Sequence, residues 1–149
     1  MRAGRRALVC ATGGAMLAAW LALPALAADA KLTKVEWQAI RKVISRQLAA
    51  LKAGDGGKAF GYATPGIQAK FGDAKSFMAM VRAEYTPLLD ARYTEFLEGA
   101  VIDGVIVQPL RLIGPDNAVL VALYTVEKQK GGGWRISGCA IAPSTVQAT

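Results

Sequence analysis

With no histidine anywhere in its 149 residues, the chain lacks an imidazole to serve as general base, proton shuttle or metal ligand, and it cannot form a Ser-His or Cys-His nucleophile. What remains is proton transfer between a carboxylate and a phenol. The residues available for it are Tyr62, Tyr85, Tyr124 and Asp103. Each also has a plainer reading: Asp103 precedes Gly104 in a hairpin turn, where Asp suits the backbone, and the tyrosines sit among apolar neighbours as core or rim. Gln108, polar within an apolar run, and Arg135, beside Trp134, could orient a ligand; they could equally face solvent or a partner subunit. Gly131-Gly132-Gly133 joins two strands and lacks the following helix and Lys of a phosphate-binding loop, and Gly54-Asp55-Gly56-Gly57-Lys58 follows a helix where such a loop follows a strand. These residues specify no reaction.

The elements that must position them centre on the stretch from Arg92 to Ala142. Turns divide it, and turns fix which strand lies beside which. Asp103-Gly104 lies between Ala100-Val101-Ile102 and Val105-Ile106-Val107, a strong hairpin signal. Gly114-Pro115-Asp116-Asn117 follows the next run, with Pro where a type I turn wants it. Gln129-Lys130-Gly131-Gly132-Gly133 is too rich in Gly to continue a ladder. Four strands are expected, over Arg92 to Ile102, Val105 to Ile113, Ala118 to Lys128 and Trp134 to Ile141. Connections this short permit only antiparallel neighbours. Val119-Leu120-Val121-Ala122-Leu123 is apolar on both faces, so both faces of the sheet should be covered at least in part. One cover is the N-terminal helices; the other is a second subunit or the sheet's own curl.

The chain opens with Arg2, Arg5 and Arg6, runs apolar from Ala7 to Leu23 and reaches Ala25-Leu26-Ala27. These are the three parts of a secretory signal peptide, with cleavage expected after Ala27. The alternative is an uncleaved membrane anchor; Gly13, Gly14, Pro24 and the Ala-Leu-Ala site argue for cleavage. Arg5-Arg6 lacks the fuller polar context of a twin-arginine signal, and Ala7-Leu8-Val9 before Cys10 is no lipobox. The expected location is periplasmic or secreted, without a stable membrane anchor once the signal is removed. Removing 27 of the 149 residues leaves 122, the size of one domain, residues 28–149. Its core is expected over about residues 32–142, with residues 143–149 a polar tail. Fifteen Lys and Arg then face eleven Asp and Glu, too mild an excess for nucleic acid. Cys139 becomes the single cysteine, unable to make an intrachain bridge or a thiolate zinc site. It reads as a small buried hydrophobe, or else as an intermolecular disulfide or reactive thiol.

The helices come before the strands. Thr33-Lys34-Val35-Glu36 is a capping box, and Leu32 with Trp37 has the spacing of a hydrophobic staple. Trp37, Ile40, Ile44, Leu48 and Leu51 form one helical stripe that ends at Gly54. Arg41, Lys42 and Arg46 form a solvated basic face. Asp55 can cap a second short helix, Thr64-Pro65 opens a third that Gly72 closes, and Asp73 can cap a fourth from Ala74 to Tyr85, stopped by Pro87. Leu88 to Ala91 then reads as a turn into the first strand.

Gly54-Asp55, the run from Ala59 to Gln68, Phe71-Gly72, Phe77 to Arg82 with Tyr85, and Gly133-Trp134-Arg135-Ile136-Ser137-Gly138-Cys139 together resemble the bacterial DUF4864 family, of unknown function, over roughly Glu36 to Ile141. Helices followed by a curved antiparallel sheet are also similar, at the level of architecture, to the cone of the NTF2-like superfamily, which includes ketosteroid-isomerase and SnoaL-like proteins. The fold class so implied is α+β: an NTF2-like cone with N-terminal helices packed on a curved four-stranded antiparallel meander. That likeness implies a pocket between the helices and the concave face of the sheet, and often a homodimer through the sheet. The pocket candidates are Tyr62, Met78, Tyr85, Gln108, Tyr124, Trp134 and Arg135. No cofactor or metal is implied. Two functions stand: an exported non-catalytic module binding a small apolar ligand or a protein partner through its cone, and an isomerase or dehydratase using a carboxylate and a Tyr there. A carboxylate within hydrogen-bond reach of Tyr62 or Tyr124 would favour the enzyme. A cone filled by Met78, Met80 and Trp134 would leave a structural role.

Overall fold

The structure, a computed structural model, describes residues 31–144. The signal peptide expected over residues 1–27 and the end of the tail, residues 145–149, lie outside the described residues. Among those described, no helix is long and apolar enough to cross a membrane.

The first helix, α1, spans Lys34–Lys52, and its capping box is formed: the Thr33 hydroxyl accepts from the Glu36 N–H while the Glu36 carboxylate accepts from Thr33. Its buried face carries Ile40, Val43, Ile44, Gln47, Leu48, Ala50 and Leu51. Helix α2, Gly56–Gly61, is capped by Asp55; α3, Pro65–Phe71, by Thr64; and α4, Ala74–Glu84, by Asp73. The segment read as a turn before the sheet is instead a short helix α5, Thr86–Asp90, because Pro87 in its first turn needs no N–H partner there.

The strands are β1, Tyr93–Phe96, β2, Ala100–Ile102, β3, Val105–Ile113, β4, Val119–Lys128, and β5, Trp134–Pro143. All pairings between them are antiparallel, with β3 between β1 and β4, β5 beyond β4, and β2 also on β3. Asp103 and Gly104 have φ of 50° and 77°, the double positive φ that an Asp-Gly hairpin requires. Helices with an antiparallel sheet make the fold α+β, as expected.

One expectation needs correcting: the first strand is not continuous from Arg92 to Ile102 but broken over residues 97–99. The cause lies in the facing strand. Pro109 stands in the middle of β3 and has no N–H to give. Its carbonyl accepts from the Leu97 N–H at 3.1 Å, so its nitrogen faces the same side, and the Leu97 carbonyl loses its ladder donor. Gln108 supplies the replacement: its Nε2 donates to the Leu97 carbonyl at 2.7 Å. At Gly99 a Cβ would run into the Trp37 ring, so the break also seats α1 against the sheet.

Alternate residues of the central strands then face the helices. Gln108, Leu110 and Leu112 of β3 and Ala122, Tyr124 and Val126 of β4 are buried, joining Ile40, Ile44, Leu51, Phe77, Val81 and Leu88 in one core. The opposite face is half-exposed: Tyr93, Ile102, Val105 and Leu123 all point that way by register and are among the most exposed large apolar residues.

Candidate functional site

Where β4 meets β5 the ladder changes register. Thr125 pairs with Gly138 but Val126 pairs with Ile136, which leaves Ser137 as an extra residue. Such a bulge bends its strand and often borders a site. Gly138 lies close against the neighbouring strand, where a Cβ would stand 2.9 Å from Thr125 Oγ1 and force one of the two to shift. Ser137, Gly138 and Cys139 form one wall of a cavity of about 290 Å³ between helices and sheet. Phe71, Phe77 and Val81 close it from the helices, and Tyr124 lies on the sheet side. Lys70 and Glu84, both exposed, are its charged members.

Tyr124 is 1 % exposed and stands directly opposite Cys139 in the ladder, so both side chains point into the same face. Tyr85 caps the end of α4, and its hydroxyl donates to the Cys139 carbonyl at 2.7 Å, tying that helix to β5. Gln47 Nε2 donates to the Ala59 carbonyl and the Ser137 hydroxyl to Thr125 Oγ1. Tyr124 Oη is different. It is buried, and among the described residues no group hydrogen-bonds to it.

The electrostatics follow from burial. Desolvation pushes the Tyr124 phenol well above its ordinary value, with Cys139 and Tyr85 adding to the rise. Tyr85 is raised by the same cause, with smaller contributions from Cys139 and Glu84. Burial lifts the Cys139 thiol to about 12. Near neutral pH the interior of the cavity therefore presents two neutral phenols and a neutral thiol, groups that donate and accept hydrogen bonds but do not abstract protons. Among the described residues no three carboxylate or thiol groups converge as metal ligands.

Of the seven pocket candidates, the cavity brings together Tyr85 and Tyr124. Tyr62 and Trp134 line a separate groove beside α1 with Lys42, Arg46 and Lys128; Lys128 pairs with Glu36 at 3.2 Å and lies 5.7 Å from the Trp134 ring centre. Met78 is core, packed where Gly56 comes close to α4. Gln108 is fully buried and engaged with Leu97, Pro109 and Arg41. Arg135 donates to the Ala63 carbonyl. That carbonyl belongs to the α2–α3 link, which also clips onto β5 through Thr64 N–H to Ile136 O and Ile136 N–H to Tyr62 O, both 2.9 Å.

Sequence reasoning missed Gln47 and the bulge. Both left a signal: Gln47 falls three residues after Ile44 on the stripe of α1, and Gly138 within an apolar strand marks a bulge or a close backbone approach.

Against known proteins, the family described as "Domain of unknown function (DUF4864)" matches residues 33–149, most of the chain. No curated protein and no solved structure matches, so the likeness to the NTF2-like superfamily rests on architecture alone.

Proposed function

The chain belongs to the DUF4864 family, and we propose that it is an exported, non-catalytic module that holds a small apolar ligand in the cavity between its helices and its sheet. The observation that carries this reading is the character of that cavity. Its volume of about 290 Å³ is near the lower end of ligand pockets, roughly 300 Å³, and its walls are mainly aromatic and aliphatic with a few neutral polar groups. The rival reading, an isomerase or dehydratase, needs a carboxylate on a buried Tyr. Among the described residues Tyr124 Oη has no such partner, and Glu84 is exposed. Export follows from the Arg-rich, apolar and Ala-Leu-Ala parts of the first 27 residues.

A protein partner in the same reading is a second copy of the chain, laid on the outer face of the sheet. Four of the five most exposed large apolar side chains of the described residues lie there, Ile102 and Val105 as a facing pair at one end of β3, Leu123 opposite its middle and Tyr93 at its other end.

Native mass spectrometry of the mature protein, extracted gently from the periplasm, tests the reading. The expected spectrum has a mass that begins at Ala28 and an adduct of a few hundred daltons that leaves on collisional activation. A chain with its first 27 residues intact refutes cleavage after Ala27, and absence of the chain from the periplasmic extract refutes export. Failure to take up any apolar probe, whether as purified or after extraction with solvent, refutes the binding role.

A further inference from the structure

Arg41, Lys42 and Arg46 read from the sequence as one solvated basic face, and the structure divides it. Arg41 turns to the sheet: its Nε donates to the Gln108 side-chain carbonyl at 3.2 Å, and its guanidinium lies 5.9 Å from the Phe96 ring centre. Lys42 and Arg46 stay exposed, and among the described residues neither has a hydrogen bond or an ion pair. They stand one helical turn apart with no Asp or Glu three or four positions to either side, so like charges are neighbours on α1, which costs stability by itself. Both line the groove between α1 and the β4–β5 hairpin, of about 480 Å³, together with the half-buried Tyr62 and Trp134. Its third cation is Lys128; its single carboxylate, Glu36, is already engaged by Lys128 and Thr33. Charge therefore selects an anion.

Shape narrows the choice. Val35, Ala39, Lys42 and Arg46 fall on one line along α1 and all border the groove. That line is apolar at one end, where Val35 is 72 % exposed, and cationic at the other. From Val35 to Arg46 the helix rises about 16 Å, the length of about five residues of extended chain. Alternate side chains of an extended chain repeat about every 6.7 Å, close to the roughly 5–6 Å between neighbours one turn apart on a helix. We propose that this groove binds an acidic peptide segment in extended form, laid along α1 with an apolar residue toward Val35 and carboxylates on alternate residues meeting Lys42 and Arg46. The groove is separate from the cavity between helices and sheet, and neither site needs the other.

The test measures fluorescence anisotropy of three rhodamine-labelled, end-blocked pentapeptides with the whole mature protein at low ionic strength, where surface charges are least screened. Leu-Ser-Glu-Ser-Glu carries the proposed pattern, Leu-Ser-Gln-Ser-Gln removes its charge, and Leu-Ser-Ser-Glu-Glu keeps the charge but sends the carboxylates to opposite sides. Wild type is expected to bind the first at least about fivefold more tightly than either control, the effect of one to two exposed ion pairs. Lys42→Gln with Arg46→Gln should abolish that preference. Lys75→Gln, an exposed change on α4 outside the groove, should keep it. Equal binding of Leu-Ser-Ser-Glu-Glu, a preference that survives the double substitution, or an equal loss in Lys75→Gln shows only diffuse positive charge and overturns the assignment. So does binding of none of the peptides, and polygalacturonate that then binds through Lys42 and Arg46 would make the groove a glycan site instead.

Discussion

Tyr85 and Tyr124 line the same cavity and differ in one respect, so removing each hydroxyl should have opposite effects on stability. Tyr85→Phe deletes the 2.7 Å hydrogen bond to the Cys139 carbonyl, a loss of about 1 kcal/mol. Tyr124→Phe deletes a hydroxyl that is buried without a partner among the described residues, and an uncompensated buried hydroxyl costs about 1–3 kcal/mol. The ring stays, so packing against Leu110, Ala122 and Val126 changes little. Tyr124→Phe should therefore stabilise the ligand-free protein by about 1 kcal/mol, and the two variants should differ by roughly 2 kcal/mol. For a domain of this size that separates their melting temperatures by roughly 6–10 °C. The assay is urea denaturation followed by Trp fluorescence, which neither substitution removes, with the protein stripped of ligand by refolding. Unchanged m-values would show that the shift lies in stability and not in the compactness of either state. If Tyr124→Phe loses as much as Tyr85→Phe, the Tyr124 hydroxyl has a hydrogen-bond partner in solution and the reasoning fails.

Gln108→Leu keeps the size of the side chain but strips the Leu97 carbonyl of its donor and Arg41 of its acceptor; a loss of about 2–3 kcal/mol is expected, read by the same urea denaturation. Cys139 should resist alkylation in the folded protein at about pH 8, because burial holds its thiol protonated up to about 12; rapid labelling without urea would contradict this. The unfolded thiol ionises from about pH 9 while the folded one keeps its proton, so stability should fall as pH rises through that window, by at most about 1.4 kcal/mol per unit. Tyr85 and Tyr124, raised from 10.0, act in the same direction above pH 10, and Cys139→Ala should flatten the stretch between pH 9 and 10. Leu123→Lys, on the outer face of the sheet, should convert a dimer to a monomer in sedimentation velocity; a wild-type monomer at tens of micromolar would remove the dimer.

The helices and turns were legible because their signals are local. The Thr33 to Glu36 box, Asp73 before α4, Asp103-Gly104 and the Pro-Asp turn after β3 each act over three or four residues. The break between β1 and β2 was legible in principle but lay in the wrong strand: Pro109, four residues into β3, removes a donor from a neighbour twelve residues upstream. A reading that takes each strand by its own pattern cannot see that. The seven pocket candidates scattered for a related reason. Alternation puts Tyr124, Gln108 and Ala122 on one face, yet it does not say which of them meets open space and which meets Leu97 or Arg41. That depends on where the α2–α3 link docks, and no periodicity records a bridge between Ala63 and Ile136.

That bridge also bears on whether the cavity is a standing feature or a gap that neighbouring side chains would fill. Four hydrogen bonds run from the helical layer to Arg135, Ile136 and Cys139 of β5: Arg135 to the Ala63 carbonyl, Ile136 to Tyr62 and Thr64 through backbone, and Tyr85 to the Cys139 carbonyl. They attach on both sides of the bulge at Ser137, where the strand bends. Collapse would require helix and sheet to approach across the bulge and distort these bonds, while on the helical side Phe71 on Phe77 at 5.8 Å and Phe60 on Phe77 at 5.5 Å already pack on one another. Each broken bond would leave a carbonyl or N–H without its partner, at about 1–3 kcal/mol where it is buried. Contraction around a space of this volume recovers less than that unless the walls can meet. These bonds set the spacing between the helical layer and β5 on either side of the bulge, and with it the width of the cavity.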